Sequence, residues 1–540
     1  MTGNYNEELL DVAIIGGGVS GVYSGMRLLE SEREDGSVLG DKPLRVALFE
    51  QSNRIGGRLL SLAPPEVDTH VEVGGMRYTS EHKYVIALVD HFNLTPTPFP
   101  VQEPQNFAYL RGDVLRMADL ADASKLPYSF SGDEGAPAHL KEGFTALAAK
   151  RLLKELTGKE QNLTEVDWVK IASEYEFEDM SLWDLPLRYL FQRMVSHEAF
   201  QFSVDSSGYD SILYTWNGVD GFSWNLADFG PSITYSRLEQ GYQQVPLKCA
   251  ESFENAGGQI HMNHSLISFD CIDLDGGKIV EFTVDNDGNE STHRAKRLIL
   301  AMPRRSLEML SPTGAVMDSR NKAVRRLIES VTPIPLFKLA LCYDEPWWEK
   351  LTETPDGKTM PPITSGESVT DIPIRQFYYW HTDKKTGKAV VLIYDDGTAL
   401  TYWAGLRSHE TLFKGASGPR GENGLPSWDD FPAPARMVEE AHRQIKQMHG
   451  VADKDIPTPY AASYKDWGDD PYGGGANFWP VGVRSHEVSR DIIQPMDDMP
   501  VYICGEAYSH GQGWVEGALA TAEDMLTRKL GLQKPSWRKS

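Results

Sequence analysis

At 540 residues and 60.3 kDa the chain is long enough for about three or four domains of ordinary size, so core volume is not limiting. Apolar residues at 41% and charged residues at 24% are ordinary for a globular protein and exclude long disorder, collagen-like repeats and a disulfide scaffold. Asp and Glu number 77 against 53 Lys and Arg, a formal charge of −24, which disfavours nucleic acid or an anionic membrane as partner and tolerates a cationic ligand.

Residues 11–15 read as a short buried strand, followed at once by Gly16, Gly17, Gly18, Val19, Ser20 and Gly21 and a helix to about Glu30. A charged, glycine-containing insertion over residues 31–43 precedes a second strand, Leu44 to Phe49, which ends at Glu50. Residues 138–156 place Leu140, Phe144, Leu147, Leu152 and Leu153 at helical spacing, and an aromatic-rich stretch to about residue 240 predicts a helical subdomain. Arg297 to Met302 reads as another buried strand. Between 331 and 480, β-like runs at Leu336 to Tyr343, Gln376 to Trp380, Ala389 to Tyr394 and Tyr402 to Ala404 alternate with turns around one amphipathic helix, Met437 to Met448. Residues 414–435, rich in Gly and Pro, predict a surface loop. Pro500 to Cys504 reads as a last strand, leading into a helix from Trp514 to about Leu530. One domain is therefore expected from three separated segments.

Cys249, Cys271, Cys342 and Cys504 are scattered without metal-ligand spacing, so buried thiols and no metal site are expected. The first ten residues carry Glu7 and Glu8 in place of a basic leader, and no apolar run approaches ~18 residues. A soluble, cytoplasmic rather than secreted protein is the expectation, although a secreted chain given a new start Met would read alike.

Gly16, Gly18 and Gly21 form GxGxxG between a strand and a helix, which lets backbone approach a pyrophosphate and aims helix N–H groups at it. Glu50, closing the second strand, is placed to accept ribose hydroxyls, at a distance from Gly21 lengthened by the insertion. Arg54, Gly56, Gly57 and Arg58 then form a second glycine turn, a device for an extended dinucleotide. Glu50 to Arg58 resembles the turn after the second strand in flavin-containing amine oxidases, and Val501 to Ala522 resembles their C-terminal FAD motif. The resemblance implies that Glu506 meets the flavin's ribityl or pyrophosphate region, that Gly513 and Trp514 lie beside its ring, and that Gly505 and Val515 also bind the cofactor.

Within that family the likeness is to L-amino acid oxidases, including the bacterial L-tryptophan oxidases and the snake-venom type. Val73 to Tyr78 resembles the segment in which Gly75 and Met76 approach the flavin and an arginine, here Arg77, holds the substrate carboxylate. A guanidinium fork suits a carboxylate bidentately; a surface salt bridge is the alternative. Pro335 to Lys338, followed by Tyr343 to Trp348, resembles the strand whose lysine, here Lys338, holds a water near flavin N5; the alternative is a solvated strand lysine. Tyr394 resembles the tyrosine giving the carboxylate a second hydrogen bond, and otherwise reads as a core or edge tyrosine. Trp467 to Ala476 resembles the tryptophan and glycine segment over the flavin. That segment offers no cysteine for a covalent tether, so FAD is expected to be non-covalent, and Ala476 is expected to leave side-chain room. His510 reads as a loop histidine and Asp210 as structural, while Asp220 and Asp228 are candidates to answer a cationic side chain.

The resemblance implies an α/β (multidomain α+β) architecture. A Rossmann-like FAD-binding domain would take residues 1–75, 240–330 and 485–540, a mixed-sheet substrate domain 76–110 and 331–484, and a helical domain 111–239. The implied activity is oxidation of L-amino acids with bulky aromatic or basic side chains by O2 to 2-oxo acid, ammonia and H2O2, the α-hydrogen leaving formally as hydride. An L-amino acid 2-monooxygenase, a polyamine or monoamine oxidase, and a non-enzymatic relative like the prenylation escort proteins stand as alternatives. Partners are otherwise small molecules, and homo-oligomerisation is left open.

Overall fold

The computed structural model describes residues 5–30, 43–228, 233–274, 277–354, 357–397, 400–407, 411–452, 456–469 and 474–538. Most of the charged insertion at 31–43 and residues 470–473 of the glycine segment lie outside the described residues.

Five short strands form a parallel sheet in the order Gln259–Met262, Val46–Glu50, Val12–Ile15, Leu298–Leu300 and Val501–Ile503. The four after the edge strand Gln259–Met262 are buried throughout, as continuous Val, Ile and Leu runs require when layers cover both faces. The helix Val19–Glu30 packs on Gln244–Asn255 at Gly25, where a Cβ would stand 2.9 Å from the Phe253 ring. Its other neighbour is the C-terminal helix Val515–Asp524: buried Arg27 ion-pairs with Glu523 at 3.1 Å, and Tyr23 donates to the same carboxylate at 2.7 Å. A second, four-stranded sheet (Tyr5–Leu10, Asn289–Ala295, Gly277–Asn286, Ser265–Leu274) completes this part.

The third large element is a seven-stranded sheet in the order Ala461–Asp466, Phe337–Tyr343, Ala389–Asp395, Gln376–Thr382, Glu367–Thr370, Phe107–Leu110 and Asp113–Arg116. Its register sets Lys338 opposite Tyr394 and Tyr394 opposite Gln376. Side chains alternate faces, so these three and Tyr378 share one side of the sheet. Helices including Phe144–Thr157, Leu187–Met194, His197–Ser207 and Gly218–Asp228 form the helical layer beside it.

Four sequence expectations change. Tyr402 to Ala404 is not a strand but part of the helix Leu400–Arg407, whose buried Leu400 and Trp403 repeat at three residues, a helical spacing too short to stand out in sequence. The helix expected over 138–156 is two, Pro137–Glu142 and Phe144–Thr157, broken at Gly143 with φ +89°. Asp113–Arg116, assigned by sequence to the helices, closes the edge of the seven-stranded sheet. Tyr235–Leu238, assigned likewise, pairs with Tyr78–Thr79 and Pro96–Pro98.

Candidate active site

A cavity of about 650 Å³ runs from the first glycine turn to the face of the seven-stranded sheet. At its near end the glycines of GxGxxG do three separate jobs. Gly16, at φ +110°, turns the chain where a Cβ would stand 2.5 Å from the Ala301 carbonyl oxygen. Gly21 seats the helix on the turn, with no room for a Cβ, which would fall 1.9 Å from the Gly16 oxygen. Gly18 alone faces open space, its nearest neighbour being the Gly57 Cα at 3.9 Å, and so floors the cavity. The second turn lies across the first: Gly56 N donates to the Gly17 oxygen at 2.9 Å, and Gly57 adopts φ +57°.

Glu50 lines the cavity, accepting from Gly17 N at 2.6 Å and from Ser52 N and Oγ at 2.9 and 2.7 Å. Glu506 receives Arg58 Nη1 at 2.7 Å, Asn477 N and Nδ2 at 3.0 and 3.1 Å, and Gly513 N at 2.7 Å. Its carboxylate thus ties Arg58, Asn477 and Gly513 together, a knot that spacing alone does not reveal. Gly75, Met76, Gly505, Gly513 and Val515 line the wall as well. An extended groove floored by side-chain-free backbone, with a helix N-terminus above it, fits a dinucleotide.

At the far end Lys338 is buried, and its Nζ donates to the carbonyls of Gly74 at 2.5 Å and Glu72 at 3.2 Å. Trp467 Nε1 donates to the carbonyl between them, that of Val73, at 2.8 Å. The segment carrying Arg77 is therefore gripped from the sheet by two residues. Burial pushes the Lys338 ammonium down to about 7, Glu72 opposing the fall and Arg77 adding to it. Glu72, buried and accepting from Ser61 Oγ and Tyr242 N, is pushed up to about 7 by burial.

Arg77 is 4% exposed, lines the cavity and makes no ion pair with a carboxylate among the described residues. Its Nη2 donates to the Tyr209 hydroxyl at 3.0 Å and its Nη1 to the Tyr378 hydroxyl at 3.4 Å, so two of five N–H donors are used. Phe99 and Tyr235 present ring faces to it at 5.4 and 4.6 Å. Burial works against its charge, but the Tyr209 and Tyr378 phenols and the more distant Glu367 hold it above the ordinary arginine range. Tyr394 lines the same wall, with Lys338 Nζ 5.0 Å from its ring and Tyr209 packed edge-on at 5.8 Å. Trp514 is fixed by donating to Asp228 Oδ2 at 2.6 Å. Burial raises that carboxyl to about 7.

Sequence reasoning missed Tyr209, Trp224 and Asp396, which also line the cavity. Tyr209 sits beside Asp210, which the reading did single out and which ion-pairs with Arg375 at 2.9 Å, a structural role. Asp220 accepts from Ser485 Oγ and Asn217 Nδ2, and His510 bonds the Ser489 hydroxyl, both away from the cavity lining. Ala476 lines the cavity, and no cysteine does among the described residues. No group of metal-ligating side chains and no helix able to cross a membrane occurs among them.

The chain is 26% identical to Aplysianin-A of Aplysia kurodai over 545 residues, covering 96% of this chain and 90% of that protein. It is 26% identical to achacin of Lissachatina fulica, covering 96% and 93%, and 22% identical to an L-amino-acid oxidase of Siganus canaliculatus, covering 95% and 83%. Among solved structures, wild-type putrescine oxidase bound to putrescine superposes with a TM-score of 0.64 at 16% identity, over 97% of this chain and 99% of that one, a likeness of fold. The family model described as flavin containing amine oxidoreductase matches residues 37–416, and the chain belongs to that flavin-dependent family.

Proposed function

We propose that this chain is an L-amino acid oxidase that holds FAD non-covalently and converts its substrate to 2-oxo acid, ammonia and H2O2. The observation that carries the reading is Arg77: a buried guanidinium on the cavity wall, hydrogen-bonded to phenols and ion-paired with no carboxylate among the described residues, with Tyr394 on the same lining. Glu367, the carboxyl that bears on it, makes no ion pair with it and is itself pushed up to about 7 by burial, so the buried charge is fully offset only when the ligand brings an anion. An amino acid does, whereas a polyamine would add a second cation. Relatives named L-amino-acid oxidase, from Siganus canaliculatus and Daboia russelii, match 95% and 94% of this chain.

The flavin, once bound, supplies the acceptor for the α-hydrogen and its electron pair and is restored by O2. The protein's own work is placement. Arg77 and Tyr394 fix the carboxylate, and Trp467 and Trp514, each held by an indole N–H bond, wall the site from water. Lys338, pushed down to about 7 by burial and anchored on the Arg77 segment, would order a water at the reacting face. The substrate ammonium must shed a proton before the α-hydrogen departs, so turnover rises from acid toward alkaline pH.

Bulky aromatic or basic side chains suit the remaining space. Trp224 and Tyr209 supply aromatic walls. Asp396, buried on the lining and accepting from Asp210 N and the Ser211 hydroxyl, is the carboxyl there that a cationic side chain would meet. An H2O2 assay across the twenty L-amino acids, with product analysis, tests the reading. Oxo acid with H2O2 supports it, whereas amide with CO2 makes the protein a monooxygenase.

A further inference from the structure

Arg77 is gripped from two sides that lie 132 and 301 residues away in sequence. On the helical side its Nη2 meets the hydroxyl of Tyr209, just past the helix His197–Ser207; on the sheet side its Nη1 meets the hydroxyl of Tyr378. The Tyr378 hydroxyl in turn donates a hydrogen bond to Gln376 Oε1 at 2.6 Å, and Gln376 Nε2 donates to the carbonyl of Gly208 at 3.1 Å. Gly208 precedes Tyr209, so the chain of contacts closes on itself: Arg77, Tyr378, Gln376, Gly208, Tyr209 and back to Arg77.

The closure depends on a bare backbone. Gly208 has φ +71°, and a Cβ there would stand 2.4 Å from Gln376 Cγ, so the strand amide packs where a side chain would be. Gln376 and Tyr378 are 0% and 1% exposed, which leaves water little part in satisfying these groups. Burial raises the Tyr209 phenol to about 12 and the Tyr378 phenol well above its ordinary value. The ring's own partners of Arg77 are therefore neutral at physiological pH, and Glu367, which meets Tyr378 from outside the ring, is itself pushed up to about 7 by burial. A carboxylate in the same place would orient Arg77 equally well and also cancel its charge. Neutral partners orient it and leave the charge available.

We propose that Tyr209, Gln376 and Tyr378 are positioning residues, a neutral hydrogen-bonded circuit that aims the remaining Arg77 donors into the cavity to receive a carboxylate. The proposal rests on the carboxylate reading of Arg77 given above. It also makes the helical layer, through Gly208 and Tyr209, part of substrate recognition.

The test titrates flavin-loaded protein with benzoate, a carboxylate without an amine, following the flavin absorbance, and sets this beside steady-state kinetics on an oxidised amino acid. Tyr209→Phe and Tyr378→Phe each remove one hydroxyl and keep the ring. Each is expected to raise the benzoate Kd and the amino acid KM by about tenfold, with kcat changed less and flavin content unchanged. The two substitutions act on opposite arms, so a folding failure in one leaves the other to decide. Benzoate binding that is abolished by Arg77→Ala yet unaltered in the Phe variants overturns the circuit alone. A wild-type protein that ignores benzoate overturns the carboxylate reading, and the circuit with it.

Discussion

The floor of the dinucleotide end is backbone from two glycine turns near each other in sequence, with Glu506 tying later segments into its wall, whereas the substrate end is built from side chains brought together from distant segments. Gly16 to Arg58 supply turns, a floor and Glu50, and their fitness lies in what they lack: a Cβ at Gly16 or Gly21 would collide with main chain. At the other end Arg77, Tyr209, Lys338, Tyr394 and Trp467 come from five places, and Lys338, Trp467 and part of the Arg77 fork are engaged by protein. The first end should fail abruptly when crowded. The second should fail by degrees as contacts are removed.

The sharpest break is expected from Gly16→Val, which forces a side chain toward the Ala301 carbonyl and demands φ +110° of a β-branched residue. Purified variant should be colourless or insoluble; a yellow protein with full flavin content would contradict the backbone account. Next, Arg77→Ala should lower kcat/KM for amino acids by about a hundredfold or more, a few kcal/mol of charge-assisted contact, with flavin retained. For Lys338→Met, stopped-flow traces should show flavin reduction or reoxidation slowed by about a hundredfold, and loss of flavin in its place would mark the lysine as purely structural. Tyr394→Phe removes one hydroxyl and should raise KM by about tenfold.

The last prediction concerns stability, not turnover. Burial first, then Asp396, raises the Asp395 carboxyl to about 8. The folded protein keeps a proton there that the unfolded chain sheds near its ordinary value, so stability falls as pH climbs from about 4 to about 8. Asp395→Asn cannot ionise, and its Tm should gain on the wild type between about pH 5 and about pH 8. Parallel Tm curves would mean that the carboxyl is not perturbed.

The same contrast governs what could be read from sequence. The glycine turns were legible because their spacing is local and each position has a steric reason. Arg77, Lys338 and Tyr394 were reached by resemblance, since nothing around a lone arginine or lysine announces its partners. Tyr209, Gln376 and Tyr378 carried no signal at all: their roles arise from strand register and from Gly208 letting a strand amide pack against a helix end. Glu506 was legible as a site residue, but not as the knot joining Arg58, Asn477 and Gly513. Leu400–Arg407 misled because one turn of short apolar spacing looks the same in a helix or a strand.

The central claim, that a buried guanidinium selects an acid end, is tested most directly by comparing an L-amino acid with its own decarboxylated amine, in wild type and Arg77→Ala. The wild type should oxidise the amino acid and neglect the amine, and the substitution should erase that ratio by reducing amino acid turnover alone. A wild type that oxidises the amine as well as the acid, or a variant that keeps the ratio, would contradict it.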